Sequence, residues 1–173
     1  MRAINRLDVP IQPGNEFPIF TFMRPLFIFC FCFCLIQLHA QSDELALERA
    51  LYDLPGVQFE KISKPGDKYL TYALQIKQPL DHQHPDNGSF YQSAVLIHKG
   101  FERPMVMETE GYELYAGEDE IADILNANDI DIEFRYFGQS RPETLQWQYL
   151  TFAQACADLH HINELLKTIY SAG

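Results

Sequence analysis

Apolar residues recur along this chain with two different periods, and the periods divide it into elements. Ser42 stands at a capping position, Asp43 and Glu44 fill a first turn, and Leu47, Ala50, Leu51 and Leu54 follow at helical spacing. That pattern predicts a short helix ended by Pro55-Gly56. From Lys68 to Lys77 the period drops to two: Leu70, Tyr72, Leu74 and Ile76 alternate with Tyr69, Thr71, Gln75 and Lys77. A second such run covers Ser89 to Lys99, and the polar loop Pro79 to Gly88 lies between them. Two alternating runs joined by a turn-rich loop predict an antiparallel hairpin.

The pattern then changes. Pro104 to Glu108 predicts a short core strand, and Glu118 to Ala127 a helix turning Ile121, Ile124 and Leu125 inward. Asp129 to Tyr136 reads as a strand in which Ile130, Ile132 and Phe134 alternate with Asp131, Glu133 and Arg135. It stops in the turn Gly138-Gln139-Ser140-Arg141-Pro142. A second helix is predicted from Thr151 to about Ser171, with Thr151 and Gln154 at capping-box spacing. Its expected inward stripe is Phe152, Cys156, Leu159, Ile162, Leu166 and Ile169. A hairpin followed by strand, helix, strand, helix is an α/β pattern ending in parallel strands.

Upstream of all this, residues 23–40 carry Met23, Arg24, an apolar run from Leu26 to Ile36 and the small residue Ala40. This is the layout of a secretory signal peptide cleaved between Ala40 and Gln41. The apolar run falls short of the ~20 residues a membrane helix needs, so no anchor is expected after cleavage. Residues 1–22 read as an over-extended start, and 41–173 as the folded portion, secreted or periplasmic. Cys30, Cys32 and Cys34 leave with the signal, and Cys156 is expected as a buried thiol on its helix. The whole chain has a formal charge of −11; its first 40 residues hold two acids and three bases, leaving −12 on the rest. Such a surface disfavours nucleic acid and anionic membranes as partners.

Several groupings invite a chemical reading. His82, His84 and Asp86 spell H-x-H-x-D, but the run sits beside Pro85 and Asn87-Gly88 and offers too few convergent ligands for zinc, so a solvated loop is expected and no metal. His160 and His161 are neighbours on a helix and point about 100 degrees apart. Asn87-Gly88-Ser89 is a glycosylation sequon, relevant only in a host that modifies exported loops. Ser140 lacks the G-x-S-x-G elbow of a hydrolase nucleophile and reads as a turn hydroxyl. Arg135 is expected to pair with an acidic neighbour.

Four segments, taken in order, resemble a known family: Gln78-Pro79-Leu80-Asp81-His82, Glu108-Thr109-Glu110-Gly111-Tyr112, Glu133 to Ser140, and Gln148-Tyr149-Leu150-Thr151 running into Ala155 to Leu159. They are similar to the N-terminal third of secreted bacterial tripeptidyl aminopeptidases, and more distantly to prolyl carboxypeptidase and dipeptidyl peptidase relatives. The resemblance spans about 54–170. It implies the N-terminal half of an α/β-hydrolase fold and a Ser-His-Asp peptidase without cofactor, acting on peptide substrates. It also implies that the nucleophile strand and all three triad residues lie beyond this sequence, so that strand 130–136 would present an unpaired edge. Gly111 and Tyr112 would then offer an oxyanion amide, and Glu108 or Glu110 would hold a substrate's free amino group. The other class left open is a secreted binding module or pseudoenzyme using its acidic surface.

Overall fold

A computed structural model describes residues 42–110, 114, 117 and 119–170, without the side chain of Glu110. The signal segment, the stretch before it, Gly111 and Tyr112 lie outside the described residues. Helix α1 (42–53) leads into β1 (Val57–Lys61), β2 (Leu70–Pro79), β3 (Ser89–His98) and β4 (Met105–Glu110). Helix α2 (Glu120–Ile124), β5 (Asn128–Glu133) and α3 (Phe152–Leu166) follow. The strands form one sheet in the order β1-β2-β3-β5-β4.

The hairpin is as expected: β2 and β3 pair antiparallel from Leu70 opposite His98 to Pro79 opposite Ser89. Strand β1 was missed, although Val57-Gln58-Phe59-Glu60 already alternates; it pairs antiparallel with β2. The chain returns through α2 so that β5 lies parallel to β4, Met107 opposite Ile130. On its other side β5 is antiparallel to β3, Leu96 opposite Ile130. Thus β5 is an interior strand with both edges paired, which corrects the expected unpaired edge at 130–136. The outer strands of the described sheet are β1 and β4. The strand also stops earlier than its alternation suggested, at Glu133, with Arg135 and Tyr136 in the turn beyond it.

One face of the sheet carries the apolar core. Tyr72, Leu74, Ile76, Ala94, Leu96, Ile130 and Ile132 meet Leu47 and Leu51 of α1 and Ile162, Leu165 and Leu166 of α3. Leu47, Leu51 and Ile162 are fully buried, and truncating such a side chain to alanine typically costs about 2–5 kcal/mol. The N-terminal half of α3 does not follow the expected stripe. Phe152 is 82% exposed and Cys156 is exposed, while Ala155 and Asp158 face the sheet. The helix is rotated there because Asp158 has a buried partner, described below, and that polar contact overrides the apolar repeat. Only half of the capping box forms: Thr151 Oγ1 accepts the Gln154 amide at 3.2 Å, while the Gln154 side chain turns away to the loop after β2. Helix α2 is shorter than predicted, and its Ile121, Ile124 and Leu125 face outward at 56, 75 and 56% exposure. Only Ala122 of α2 is buried. Among the described residues no helix is long and apolar enough to cross a membrane.

Candidate functional site

In open α/β sheets ligands gather outside the carboxyl ends of the parallel strands. Here those ends are Glu110 on β4 and Glu133 on β5, which lie opposite each other. The turn after β5 is built on Glu133. Its Oε2 accepts the amides of Gln139 and Ser140 and the Ser140 hydroxyl, each at 2.8 Å. Ser140 Oγ in turn accepts the Ser93 amide at 2.9 Å. Tyr136 adopts a φ of 73°, a conformation costing a non-glycine residue about 1–2 kcal/mol. Its amide donates to the Ser140 carbonyl at 2.7 Å and its hydroxyl to the Gln146 carbonyl at 3.0 Å, which hold it there. Gly138 has φ of 42°, and a Cβ at that position would run into the Glu133 carboxylate. Ser140 is therefore a turn hydroxyl, fully buried and bonded to a carboxylate, as its sequence context suggested.

Arg135, within this turn, has no exposure at all. Its Nε donates to Asp158 Oδ2 at 2.6 Å and Nη2 to Asp158 Oδ1 at 2.8 Å, a two-pronged pair. The remaining hydrogens reach the carbonyls of Leu80 at 3.1 Å, Tyr149 at 2.7 Å and Pro79 at 3.2 Å. All five guanidinium donors are used, and the Phe90 ring lies 5.3 Å from its carbon. The expected pairing with an acidic neighbour holds, and the neighbour is the Asp158 that sequence reasoning had passed over.

The histidines join the same layer. His82 Nε2 donates to Asp158 Oδ1 at 2.7 Å, and His161 Nδ1 to Gln78 Oε1 at 2.8 Å. Burial, and then the neighbouring His82, keep the His161 pKa below its usual value. Gln78 bridges Gln92 and the Asp158 carbonyl, and Gln92 donates to the Glu133 carbonyl. His84 donates to Asp81, and this bond, the Gln83 amide and Gln154 hold the Asp81 carboxyl down at about 2. The loop expected to be merely solvated thus directs His82 and Asp81 inward while His84 and Asp86 remain outside. Among the described residues no group of three or more histidines, cysteines or acids could hold a metal ion.

On the sheet's other face, Glu108 of β4 lies opposite Asp131 of β5. Asp119, the residue capping α2, donates its amide to Asp129 Oδ2 at 3.1 Å on the same side of the sheet. Burial, then Asp119 and the charge of Asp129, push the Glu108 pKa up. Sequence reasoning had selected Glu108 but had no signal for Asp119, Asp129 or Asp131, which chain distance and ordinary acidic composition concealed.

Against known proteins, residues 40–173 match the model of the family described as PS-10 peptidase S37. The chain belongs to this peptidase family. It is also 34% identical over 119 residues to the prolyl tri/tetrapeptidyl aminopeptidase of Streptomyces mobaraensis. That alignment takes in 68% of this chain and 25% of the relative, so the chain spans about a quarter of that relative's length. The four resembling segments thus pointed to the right family. For an S37 peptidase chain, the chemistry among the described residues is that of a braced scaffold: Ser140 is committed to Glu133, and the His82–Asp158 pair is committed to Arg135.

Proposed function

We propose that residues 41–173 form the N-terminal part of an exported serine exopeptidase that releases short, proline-containing peptides from substrate N-termini. The triad would come from residues outside this sequence. The observation that carries this reading is the strand order. An antiparallel β1-β2-β3 meander passes to β4, and the next strand inserts between β3 and β4. That arrangement is the one expected for the first half of an α/β-hydrolase sheet, in which the next parallel strand would add beside β4 and carry the nucleophile on its elbow. The match over 40–173 supports the same reading.

In this scheme the segment after β4, with Gly111 and Tyr112, would supply an oxyanion amide. Glu110, at the last position of β4, is the better of the two glutamates for a substrate's amino group, because Glu108 lies inside the strand, opposite Asp131. Export rests on the 23–40 segment, and the mature N-terminus would be Gln41.

The test begins with the coding sequence beyond codon 173. The reading requires an in-frame strand and G-x-S-x-G there, and turnover of prolyl tri- and tetrapeptidyl chromogenic substrates by the extended protein. The 173-residue chain should neither turn over these substrates nor react with a serine-directed phosphonate. Stoichiometric labelling of Ser140 in that chain, or an extended protein without peptidase activity, would overturn it. Mass spectrometry of exported protein should find Gln41 first.

A further inference from the structure

The loop between β2 and β3 ends in a residue pair that the buried layer does not use. Asn87 is the last residue of the single 3-10 turn Pro85–Asn87, and Gly88 follows it. No residue of that turn is buried, and Asn87 and Gly88 are both exposed. The Asn87 amide donates to the His84 carbonyl at 3.0 Å. Its side-chain Nδ2 reaches the Tyr149 hydroxyl only at 3.5 Å, too long to hold the amide group firmly.

The backbone demands glycine at 88. Its φ is 115°, which glycine alone adopts freely, and a Cβ there would lie 3.1 Å from Leu80 Cδ1. That demand has a chemical consequence for its neighbour. A side chain on the residue after an asparagine shields the peptide nitrogen between them, and glycine leaves it open. Of the six asparagines in the chain, only Asn87 precedes a glycine. Asn128, by contrast, is fully buried with its Nδ2 bonded to two carbonyls, and Asn163 lies within α3.

We propose that Asn87 is a self-modification site, at which the Gly88 nitrogen attacks Asn87 Cγ. The Gly88 amide gives its proton to hydroxide, its nitrogen bonds to Cγ, and Nδ2 leaves as ammonia with a proton taken from water. The product is a five-membered succinimide, which one water then opens. Opening at one carbonyl gives aspartate; opening at the other gives isoaspartate, whose main chain runs through Cβ and Cγ. One water is consumed, one ammonia is released, and nothing is oxidised or reduced. Both products add a carboxylate beside Asp86, in a chain already at −11. Isoaspartate also lengthens the main chain by one carbon just before Gly88. The Gly88 carbonyl accepts the Leu80 amide at 2.9 Å, and Pro79 stands opposite Ser89. Pro79 and Leu80 in turn give their carbonyls to Arg135. The isoaspartyl form therefore slackens the buried layer from its loop side. Nothing in this chemistry depends on the peptidase reading.

The test incubates the whole chain, made in a host without N-glycosylation, since a glycan on Asn87 would occupy Nδ2. Mass spectrometry of the tryptic segment 78–99 follows the change from amide to acid, and an isoaspartate-specific methyltransferase reports the linkage. Conversion at 87 should rise with hydroxide concentration. It should run no more than about tenfold slower than in the free 78–99 peptide, because exposed loop tips open at little cost. Asn87→Gln should suppress it, since the longer side chain closes its ring far more slowly. A rate below that bound, or earlier conversion at another asparagine, overturns the proposal. Isoaspartyl protein, separated by ion exchange, should unfold at a lower urea concentration than Asn87→Asp, which carries the new charge without the extra carbon. Equal midpoints would refute the slackening of the layer.

Discussion

Removing Asp158 should be among the most damaging single changes in this chain. The carboxylate and Arg135 are 1 and 0% exposed, and Asp158 receives two of the five guanidinium bonds and the His82 ring. Asp158→Ala leaves a buried guanidinium with two hydrogens unsatisfied and no counter-charge. Breaking one side of such a pair costs about 3–5 kcal/mol. Domain stabilities are only about 5–15 kcal/mol, so this change alone would consume a large part of the whole. Arg135→Met should be at least as harmful, because it also strands the carbonyls of Pro79, Leu80 and Tyr149 at about 1–3 kcal/mol each. The double variant Arg135→Met/Asp158→Ala carries no unpaired charge, and should be more stable than the sum of the singles predicts by roughly 0.5–3 kcal/mol. Urea unfolding of the four proteins at neutral pH measures the cycle. High salt should leave the Asp158→Ala deficit intact, since buried pairs are poorly screened. A loss below about 1 kcal/mol for Asp158→Ala, the worth of an ordinary surface pair, would refute the argument. Additive singles would refute it equally.

Ser140→Ala removes a hydroxyl that donates to Glu133 and accepts from Ser93, and should lower unfolding stability by about 1–3 kcal/mol without affecting any labelling by serine reagents. Gly138→Ala should destabilise by more than ~1 kcal/mol in the same assay, since it combines a left-handed φ with a clash against Glu133. His98 is buried, with Nδ1 on the Tyr170 hydroxyl, and burial keeps its pKa below 6.5. Its contribution is therefore complete above 6.5 and lost as pH falls through the lowered value, a slope that His98→Phe should flatten in unfolding measured across that window. Amide exchange should be slower across 129–132, which is paired on both sides, than across 105–110 at an outer edge. Equal rates would contradict the strand order.

Where apolar periodicity and burial coincide, the sequence was readable. Tyr72, Leu74 and Ile76 on β2 and Leu47 and Leu51 on α1 pack as their spacing predicts. It misled where polar side chains are buried. In β5 every residue is buried, yet Asp129, Asp131 and Glu133 alternate with Ile130 and Ile132 as they would in a half-solvated strand. Alternation reports two chemically different faces, and a face lined by hydrogen bonds gives the same pattern as one lined by water. The misplaced edge has a different source: it assumed that the nucleophile strand would add beside 130–136, whereas β4 already pairs on that side. Cys156 and Phe152 were misjudged for the complementary reason: an apolar repeat cannot show that Asp158, one turn on, fixes the rotation of α3 through Arg135. Of the candidate site residues, Glu108 was expected at the end of its strand, but β4 runs on to Glu110 and Glu108 lies inside it. Its neighbours were not legible, since Asp119 joins it only through the fold.

The segments that revealed the family are also the segments that the buried polar layer ties together. Pro79 and Leu80 give their carbonyls to Arg135, and His82 gives its ring to Asp158. Arg135 and the Glu133–Ser140 turn form the next segment, and Tyr149 with Asp158 the last. Three of the four stretches therefore converge on one guanidinium and one carboxylate, across 56 positions of chain between Pro79 and Arg135. Apolar core positions tolerate exchange among residues of similar volume. A guanidinium with five fixed acceptors does not, because lysine offers neither the donor count nor the planar fork. A network of this kind imposes specific residues at specific positions, and so leaves a sequence signature as sharp as a catalytic one. The fourth stretch, at Glu108, makes its own polar cluster on the opposite face. What these motifs report directly is thus how the sheet, α3 and the two turns are locked in register. The residues that carry the family resemblance in these stretches are thus also ones whose removal should destabilise the fold strongly.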